Sequence, residues 1–218
     1  MEPLAILHRN KKALRPPQKG QAGVSCDALA VAAEPHQLIL RSAAELFAQH
    51  GYAGTSLRHI AQTVGLACGS LYHHFPSKED LFVAIHREGF RQIIRRSKNA
   101  IRKEGDPWRR LELASAVHLD SALAGDAIDR ITAVGLFAIH DTWLRRRLEE
   151  DHQRYEAHFY GLVDALDLPG IDNRSIFRLA LLGAVNWAIT WYKPGKMPPK
   201  EIARQLIQTF RTIADLGR

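Results

Sequence analysis

Residues 47–81 read FAQHGYAGTSLRHIAQTVGLACGSLYHHFPSKEDL. Apolar residues recur at helical spacing on both sides of Gly65, first over residues 57–64 and then over residues 71–75. Glycine at the break permits the positive φ of a tight turn. Two short helices joined by a turn of three or four residues are typical of a helix-turn-helix. The spacing therefore predicts such a motif.

The second short helix presents polar side chains on its outer face. Hydroxyl and imidazole groups at these positions can donate to phosphates or to base edges; they belong to Ser70, Tyr72, His73 and His74. Gly69 removes bulk near the start of the helix, whereas Ala67 cannot cap it. Either Cys68 caps the helix weakly or the helix begins at a neighbouring residue.

Ser77 and Asp80 have the spacing of a capping box with Asp in place of Glu, which predicts a long helix from about Lys78 to Lys103. Lys78 adds a charged donor to a helix N-terminus, where free N–H groups already favour an anion. It is the best candidate for a phosphate contact.

The positive charge of the chain lies outside the predicted motif. Residues 36–80 carry three cations and three acids, whereas residues 1–33 carry five cations and two acids and residues 81–110 carry nine cations and three acids. A cationic stripe on one face of the long helix comprises Arg87, Arg91, Arg95, Lys98 and Arg102. This stripe is interpreted as a solvated face, as long-range attraction to DNA, or as a site for a phosphate-bearing ligand.

The stretch from Phe47 to Leu81 closely resembles the DNA-binding domain of the TetR family of transcriptional regulators. The resemblance implies that Thr55, Tyr72 and Lys78 contact phosphates and that positions 68 to 73 read the bases of a double-stranded, palindromic operator. The candidate DNA-binding residues are Thr55, Arg58, Cys68, Gly69, Ser70, Tyr72, His73, His74 and Lys78.

Helical periodicity continues from Pro35 to the end of the chain without an alternating segment, which predicts an all-α fold of about nine helices. The later helices are expected at about 107–123, 127–139, 142–166, 173–192 and 199–216. The predicted organisation is a flexible basic arm at 1–33, a helix-turn-helix domain at 34–80, and an effector-binding and dimerisation domain at 81–218.

The helix at 173–192 is apolar on almost every face and must therefore be covered all round, which predicts a partner subunit. The family resemblance implies a homodimer in which the last two helices of each protomer form a four-helix interface. The candidate interface residues are Phe177, Leu181, Ala184, Trp187, Ala188, Trp191, Leu206 and Phe210.

The resemblance also implies a pocket for a small hydrophobic effector between the intervening helices. The candidate lining combines aromatic rings with a few polar groups: Trp108, His118, Phe137, His140, Trp143, Tyr155 and Phe159. Two short strings, at 155–159 and 191–196, are similar to the TetR subgroup that controls fatty-acid and steroid-ring catabolism and responds to acyl-CoA thioesters. An acyl-CoA thioester is therefore the candidate effector.

Other classes of function lack their signatures. The sequence contains no phosphate-binding loop, nucleophile elbow or metal-spaced cluster of Cys and His, so we expect no enzyme, no cofactor and no metal site. Residues 1–7 lack the apolar core of a signal peptide, and the longest uncharged apolar stretch, 179–192, is shorter than the roughly 20 residues of a membrane span. With two cysteines, the expected compartment is the cytoplasm. The alternative function is a nucleoid-like DNA-binding dimer without a ligand.

Overall fold

The computed structural model describes residues 35–133 and 142–216, and this part of the chain is folded entirely into helices and their connections. The helices are α1 Pro35–His50, α2 Leu57–Thr63, α3 Cys68–His74, α4 Lys78–Ile101, α5 Pro107–Ala124, α6 Ala127–Ala133, α7 Thr142–Asp164, α8 Arg174–Trp191 and α9 Pro199–Asp215. The predicted all-α fold is confirmed. The predicted arm at 1–33 lies outside the described residues, as do Phe137 and His140.

Helices α1 to α3, here called the head, fold around a small apolar core. Ile39, Ala43 and Phe47 of α1 recur at i, i+4 and i+8 and are buried in this core. The side chain of Ser56 caps α2 by accepting a hydrogen bond from the backbone N–H of His59 at 3.2 Å. Helices α2 and α3 pack against each other through this apolar core.

The turn between α2 and α3 has the predicted geometry. Gly65 adopts φ +70°, a conformation that a residue with a Cβ rarely takes. Helix α3 begins at Cys68, and Ala67 before it provides no side-chain cap. The predicted lack of a cap is confirmed, and α3 depends on packing rather than on a cap for its position.

Helix α4 connects the head to the rest of the molecule. Ser77 caps it: the Ser77 hydroxyl oxygen accepts from the backbone N–H of Asp80 at 3.0 Å and the hydroxyl donates to the Asp80 carboxylate at 2.6 Å. One side of α4 is buried from Leu81 to Ile101. Its first half contributes to the core of the head and its end to a second core.

The core of the head includes residues that follow α4 in the chain. Buried side chains from α6 and from the start of α7 join this core, namely Ala127, Ile128, Ile131, Leu144 and Leu148. Helices α4 and α6 cross closely at Gly89, where a Cβ would lie 1.9 Å from the Thr132 hydroxyl oxygen. The head is thus packed directly against α6 and α7.

Helices α5, α8 and α9 and the end of α7 enclose the second core. Helix α9 packs along α5, and α8 contributes Phe177, Leu181, Val185 and Ala188 to the interior. Among the helices described here, none is both long and apolar enough to cross a bilayer.

Candidate nucleic-acid interface and effector region

Helix α3 has one buried and one exposed face. Leu71 is fully buried, and Phe75 follows the helix as a second core residue. The outward side chains are polar and exposed: Ser70, Tyr72, His73 and His74. A helix held by apolar contacts on one side and presenting hydrogen-bonding groups on the other fits the major groove of DNA.

Gly69 lies on the same exposed face. A Cβ built at this position meets no atom of the described chain within 4 Å. Packing inside the protein therefore does not require glycine at this position. Any requirement for glycine comes from a partner that approaches α3 from outside.

Lys78 is held in place by two backbone carbonyls. Its Nζ donates to the oxygens of Tyr52 at 3.0 Å and Thr55 at 3.1 Å, and lies 4.3 Å from the centroid of the Tyr52 ring. An ammonium group has three donors, so one remains for an anion. A shallow, open depression of about 470 Å³ lies beside it, and Thr55, Tyr72 and Lys78 are among the residues that line it.

Glu79 lies on the rim of this depression and accepts a hydrogen bond from the Tyr52 hydroxyl at 2.8 Å. Its own backbone N–H and the Tyr52 hydroxyl lower the pKa of the Glu79 carboxyl, so it stays ionised. The charge of Lys78 is therefore locally balanced, which agrees with the neutral charge count of residues 36–80.

One predicted DNA contact, Thr55, is corrected by its position. The Thr55 side chain is only 2% exposed, and its hydroxyl lies within hydrogen-bond distance of the carbonyls of Leu46 (3.2 Å) and Gly51 (2.9 Å). It locks the end of α1 instead of facing phosphate. Cys68 is half-buried and packs against the core of the head, and its contact with DNA stays a prediction. Arg58 is exposed on α2.

An ion pair ties the first turn of α4, next to the head, to α7. The Arg147 guanidinium donates to the Asp80 carboxylate at 2.6 Å and stacks over the Trp143 ring at 4.7 Å. The Ser77 hydroxyl and Arg147 lower the pKa of the Asp80 carboxyl. The charge pattern of the sequence gave no indication of this contact, because its partners are far apart in the chain.

Three of the predicted effector residues meet in one aromatic cluster. The Tyr155 hydroxyl lies 2.5 Å from His118 Nδ1, and the Phe159 ring lies 5.2 Å from the Tyr155 ring between centroids. Phe90 of α4 joins them, with its ring centroid 5.2 Å from that of Tyr155. Sequence analysis missed Phe90, although its place on the buried face of α4 could have indicated it.

Burial sets the protonation of this cluster. It lowers the pKa of His118 to about 4, an effect that the Asn186 side chain opposes, and it raises the pKa of the Tyr155 hydroxyl far above its usual value. Both groups are therefore neutral at pH 7, and the pair is a hydrogen bond between uncharged side chains.

Two further predicted effector residues make different ring contacts. The Trp108 ring packs edge-on against Phe177 in the second core. Trp143 is half exposed under Arg147. The ring contacts of these two tryptophans are with Phe177 and Arg147, so their place beside His118 and Tyr155 in one pocket stays a prediction.

The cationic stripe faces solvent along α4. Arg87 pairs with Asp151 at 2.9 Å and Arg91 pairs with Glu88, whereas Arg95, Lys98 and Arg102 form no ion pair within the described ranges. Burial lowers the pKa of His158, and Lys98 and Arg110 lower it further by their charge.

His158 ties this positive charge to the aromatic cluster. Its Nε2 lies 2.7 Å from the Ser97 hydroxyl oxygen, and its ring packs against Phe159. Lys98, whose charge lowers the pKa of His158, therefore brings the stripe close to the aromatic cluster.

The predicted dimer residues divide into three groups. Phe177, Leu181 and Ala188 are buried inside their own subunit, so their assignment to an interface is wrong. Ala184, Leu206 and Phe210 are half-buried. Trp187 and Trp191 are exposed, and with them on α8 are exposed apolar side chains that sequence analysis did not select, Ile176 and Leu179.

Metal ligands do not cluster in the part of the chain that the structure describes: no group of three His, Cys, Asp or Glu side chains is placed to hold an ion.

Sequence comparison relates both parts of the chain to one family. Residues 39–85 match the profile described as "Bacterial regulatory proteins, tetR family", and residues 104–214 match "Tetracyclin repressor-like, C-terminal domain". The HTH-type transcriptional repressor KstR2 of Mycolicibacterium smegmatis is 26% identical over 166 residues, which cover 72% of this chain and 78% of that protein.

Structure comparison gives the same fold. A crystal structure of AibR with isovaleryl coenzyme A and operator DNA has a TM-score of 0.66 at 24% identity over 81% of this chain and 97% of that one. The transcriptional regulator FadR of Bacillus subtilis with stearoyl-CoA has a TM-score of 0.68 at 22% identity over 80% and 97%. The second profile alone spans half of the chain. The chain therefore belongs to the TetR family of bacterial regulatory proteins and is a DNA-binding transcriptional regulator of that type.

Proposed function

We propose that this regulator represses transcription as a cytoplasmic homodimer whose two α3 helices bind a palindromic operator, and that a small effector, an acyl-CoA thioester, releases it. The exposed polar row of α3, backed by the buried Leu71, is the observation that carries the proposal. Two such helices related by a two-fold axis read half-sites about 34–36 Å apart.

Lys78 and Tyr72 fix the register on the DNA backbone. The two carbonyls that hold the Lys78 ammonium orient it beside the open depression, so little side-chain entropy is lost when a phosphate binds. Phosphate contacts carry no sequence information. The exposed groups of α3 then read the bases.

The exposed apolar residues of α8 support the homodimer. Trp187, Trp191, Ile176 and Leu179 form an apolar face on a helix whose other side is already buried in the subunit. A symmetric partner covers such a face with its own copy. The dimer sets the distance between the two α3 helices.

An acyl-CoA effector suits the two kinds of group that meet near His158. The aromatic cluster of His118, Tyr155 and Phe159 fits an acyl chain, and Lys98 and Arg110 fit the phosphates of coenzyme A. The AibR and FadR complexes with CoA thioesters support this ligand class. Binding favours a conformer in which α4 carries the heads to a spacing that no longer matches the operator.

Fluorescence anisotropy tests the proposal on a duplex selected from a random pool. We expect isovaleryl-CoA or stearoyl-CoA to release that duplex, and the matched free acids and coenzyme A alone to act much more weakly. Equal action of acids and thioesters contradicts the CoA assignment. A dimer that binds random duplexes as tightly as the selected one, and that no compound releases, is the nucleoid-like alternative.

A further inference from the structure

The interior near the aromatic cluster contains polar atoms without partners. His118 is 8% exposed and Ser115, one turn earlier on α5, is fully buried. Neither His118 Nε2 nor the Ser115 hydroxyl has a hydrogen-bond partner among the described residues. Buried polar groups in folded proteins are almost always paired, so two orphans one turn apart require an explanation.

Asn186 adds a third polar group from another helix. Its side chain lies within hydrogen-bonding reach of the His118 ring and favours the protonated form, but Nε2 makes no hydrogen bond with the normal distance and angle. Asn186 is exposed on α8, so it links the buried imidazole to the outside of the subunit. Polar groups from α5 and α8 therefore converge beside rings from α4 and α7.

The hydrogen bond at His118 Nδ1 determines whether Nε2 acts as a hydrogen-bond donor or acceptor. A phenol is a stronger acid than a neutral imidazole, so the Tyr155 hydroxyl donates its proton to Nδ1. The proton of the neutral ring then resides on Nε2. The unpartnered atom is a donor that points away from Tyr155 and needs an acceptor.

We propose that His118 Nε2 donates a hydrogen bond to a carbonyl oxygen of the effector, with Tyr155 as the residue that fixes the imidazole tautomer. The inference rests on the proposed function and specifies its ligand: an apolar chain that lies against Phe90 and Phe159 and carries an oxygen acceptor where it meets α5. The thioester carbonyl of an acyl-CoA has this chemistry.

His86 provides the contrast within the same molecule. It is also buried with both ring nitrogens unpartnered, but its ring lies between Phe82 and Phe90, at centroid distances of 4.6 and 6.2 Å. A binding site requires several polar groups that converge on one ligand atom. His118 has Ser115, Tyr155 and Asn186 around it, so it is assigned the site and His86 is the matched control.

The test compares each thioester with its thioether, which has the same chain and the same coenzyme A but lacks the carbonyl. Isothermal titration of the full chain measures both members for isovaleryl-, decanoyl- and stearoyl-CoA. We expect wild type to bind the better thioester roughly tenfold more tightly than its thioether, since a buried donor pairs only with the former. His118→Phe should make the two affinities equal, and His86→Phe should keep the tenfold ratio.

Tyr155→Phe is the second variant. Without the phenol, the proton of His118 is free to move to Nδ1, so the ratio should fall to a value between those of wild type and His118→Phe. Melting temperatures identify variants that fail to fold. If thioester and thioether bind wild type equally, Nε2 is occupied by a buried water and the inference is wrong while the CoA proposal stands. If neither member of any pair binds, both are wrong.

Discussion

Two exposed surfaces of this molecule differ in chemistry although they are similarly open. Tyr72 on α3 is 51% exposed and Trp187 on α8 is 66% exposed. The face of α3 carries hydroxyls and imidazoles, whereas that of α8 carries Trp, Ile and Leu side chains. Exposure of large side chains indicates that a partner is missing, and their chemistry indicates which one. The polar face of α3 stays hydrated until DNA displaces that water. The apolar face of α8 is stabilised when a protein surface covers it.

Both surfaces are carried by helices that are firmly anchored on their other side. Leu71 anchors α3, and Phe177, Leu181 and Val185 anchor α8. A substitution on either exposed face should therefore change binding without unfolding the subunit. The following experiments use this separation, beginning with the largest expected effect.

Trp187→Arg should abolish the dimer and with it operator binding. A guanidinium buried without a partner between two subunits costs several kcal/mol, but on the exposed face of one subunit it costs little. Analytical ultracentrifugation should give a folded monomer at micromolar concentration. Gln49→Arg, at an exposed position of α1 in the head, is the control and should stay dimeric. A dimer of the Trp187 variant would show that this face is not the interface.

Acidification should lower the free energy of unfolding of the subunit. Burial lowers the pKa of His86 to about 3 and of His118 to about 4. Between these values and the ordinary histidine pKa, the two side chains are protonated in the unfolded chain but not in the folded one. Stability is retained above about pH 6.5 and is lost as the pH falls toward these values, by about 1.4 kcal/mol per pH unit for each histidine. Urea unfolding between pH 7 and pH 4 measures this slope. His86→Phe should reduce the slope, and an unchanged slope would contradict the assignment.

Lys78→Ala should weaken binding to selected and random duplexes equally and reduce the salt slope by about one per protomer. Stability should also fall by about 1–3 kcal/mol, because the carbonyls of Tyr52 and Thr55 lose a charged donor. Anisotropy at several salt concentrations tests the first effect. Lys200→Ala, an exposed cation at the start of α9, is the control. A loss confined to the selected duplex would mean that Lys78 reads bases.

Gly69→Ala adds one methyl group and should change DNA binding without weakening the fold. The added methyl group meets open space in the protein, and alanine stabilises a helix by up to about 1 kcal/mol relative to glycine. The melting temperature should therefore stay the same or rise slightly. Affinity for the selected duplex should fall if DNA approaches α3 closely at this point. An unchanged affinity would place Gly69 outside the contact.

The head was the most predictable part of the molecule, because its signals are local. The turn at Gly65, the cap at Ser77 and the buried Leu71 all follow from residues within a few positions of one another. Thr55 shows the limit of such reasoning. A hydroxyl can bond to phosphate or to the backbone of its own chain, and only the tertiary position of α1 decides between them.

The sequence predicted helix α8 but not which of its sides faces the interior of the subunit. Because apolar residues surround it, the hydrophobic pattern has no preferred direction, and residues such as Phe177 and Leu181 could not be told from Trp187. The polar positions held the missing information: Asn186 and Thr190 lie on the exposed side together with the tryptophans. The aromatic cluster was found only in part for a related reason, since contacts between distant helices depend on how they cross.

The shared core of the head has a consequence for chimeras built from regulators of this kind. A junction placed between Asp80 and Leu81 would join this head to a foreign C-terminal half and remove Ile128, Ile131 and Leu148 from beneath it. The swapped protein would then contain a void where those side chains had been, unless the donor supplied residues of similar shape. A functional exchange should therefore transplant α6 and the first two turns of α7 along with the head, although they lie far away in the sequence.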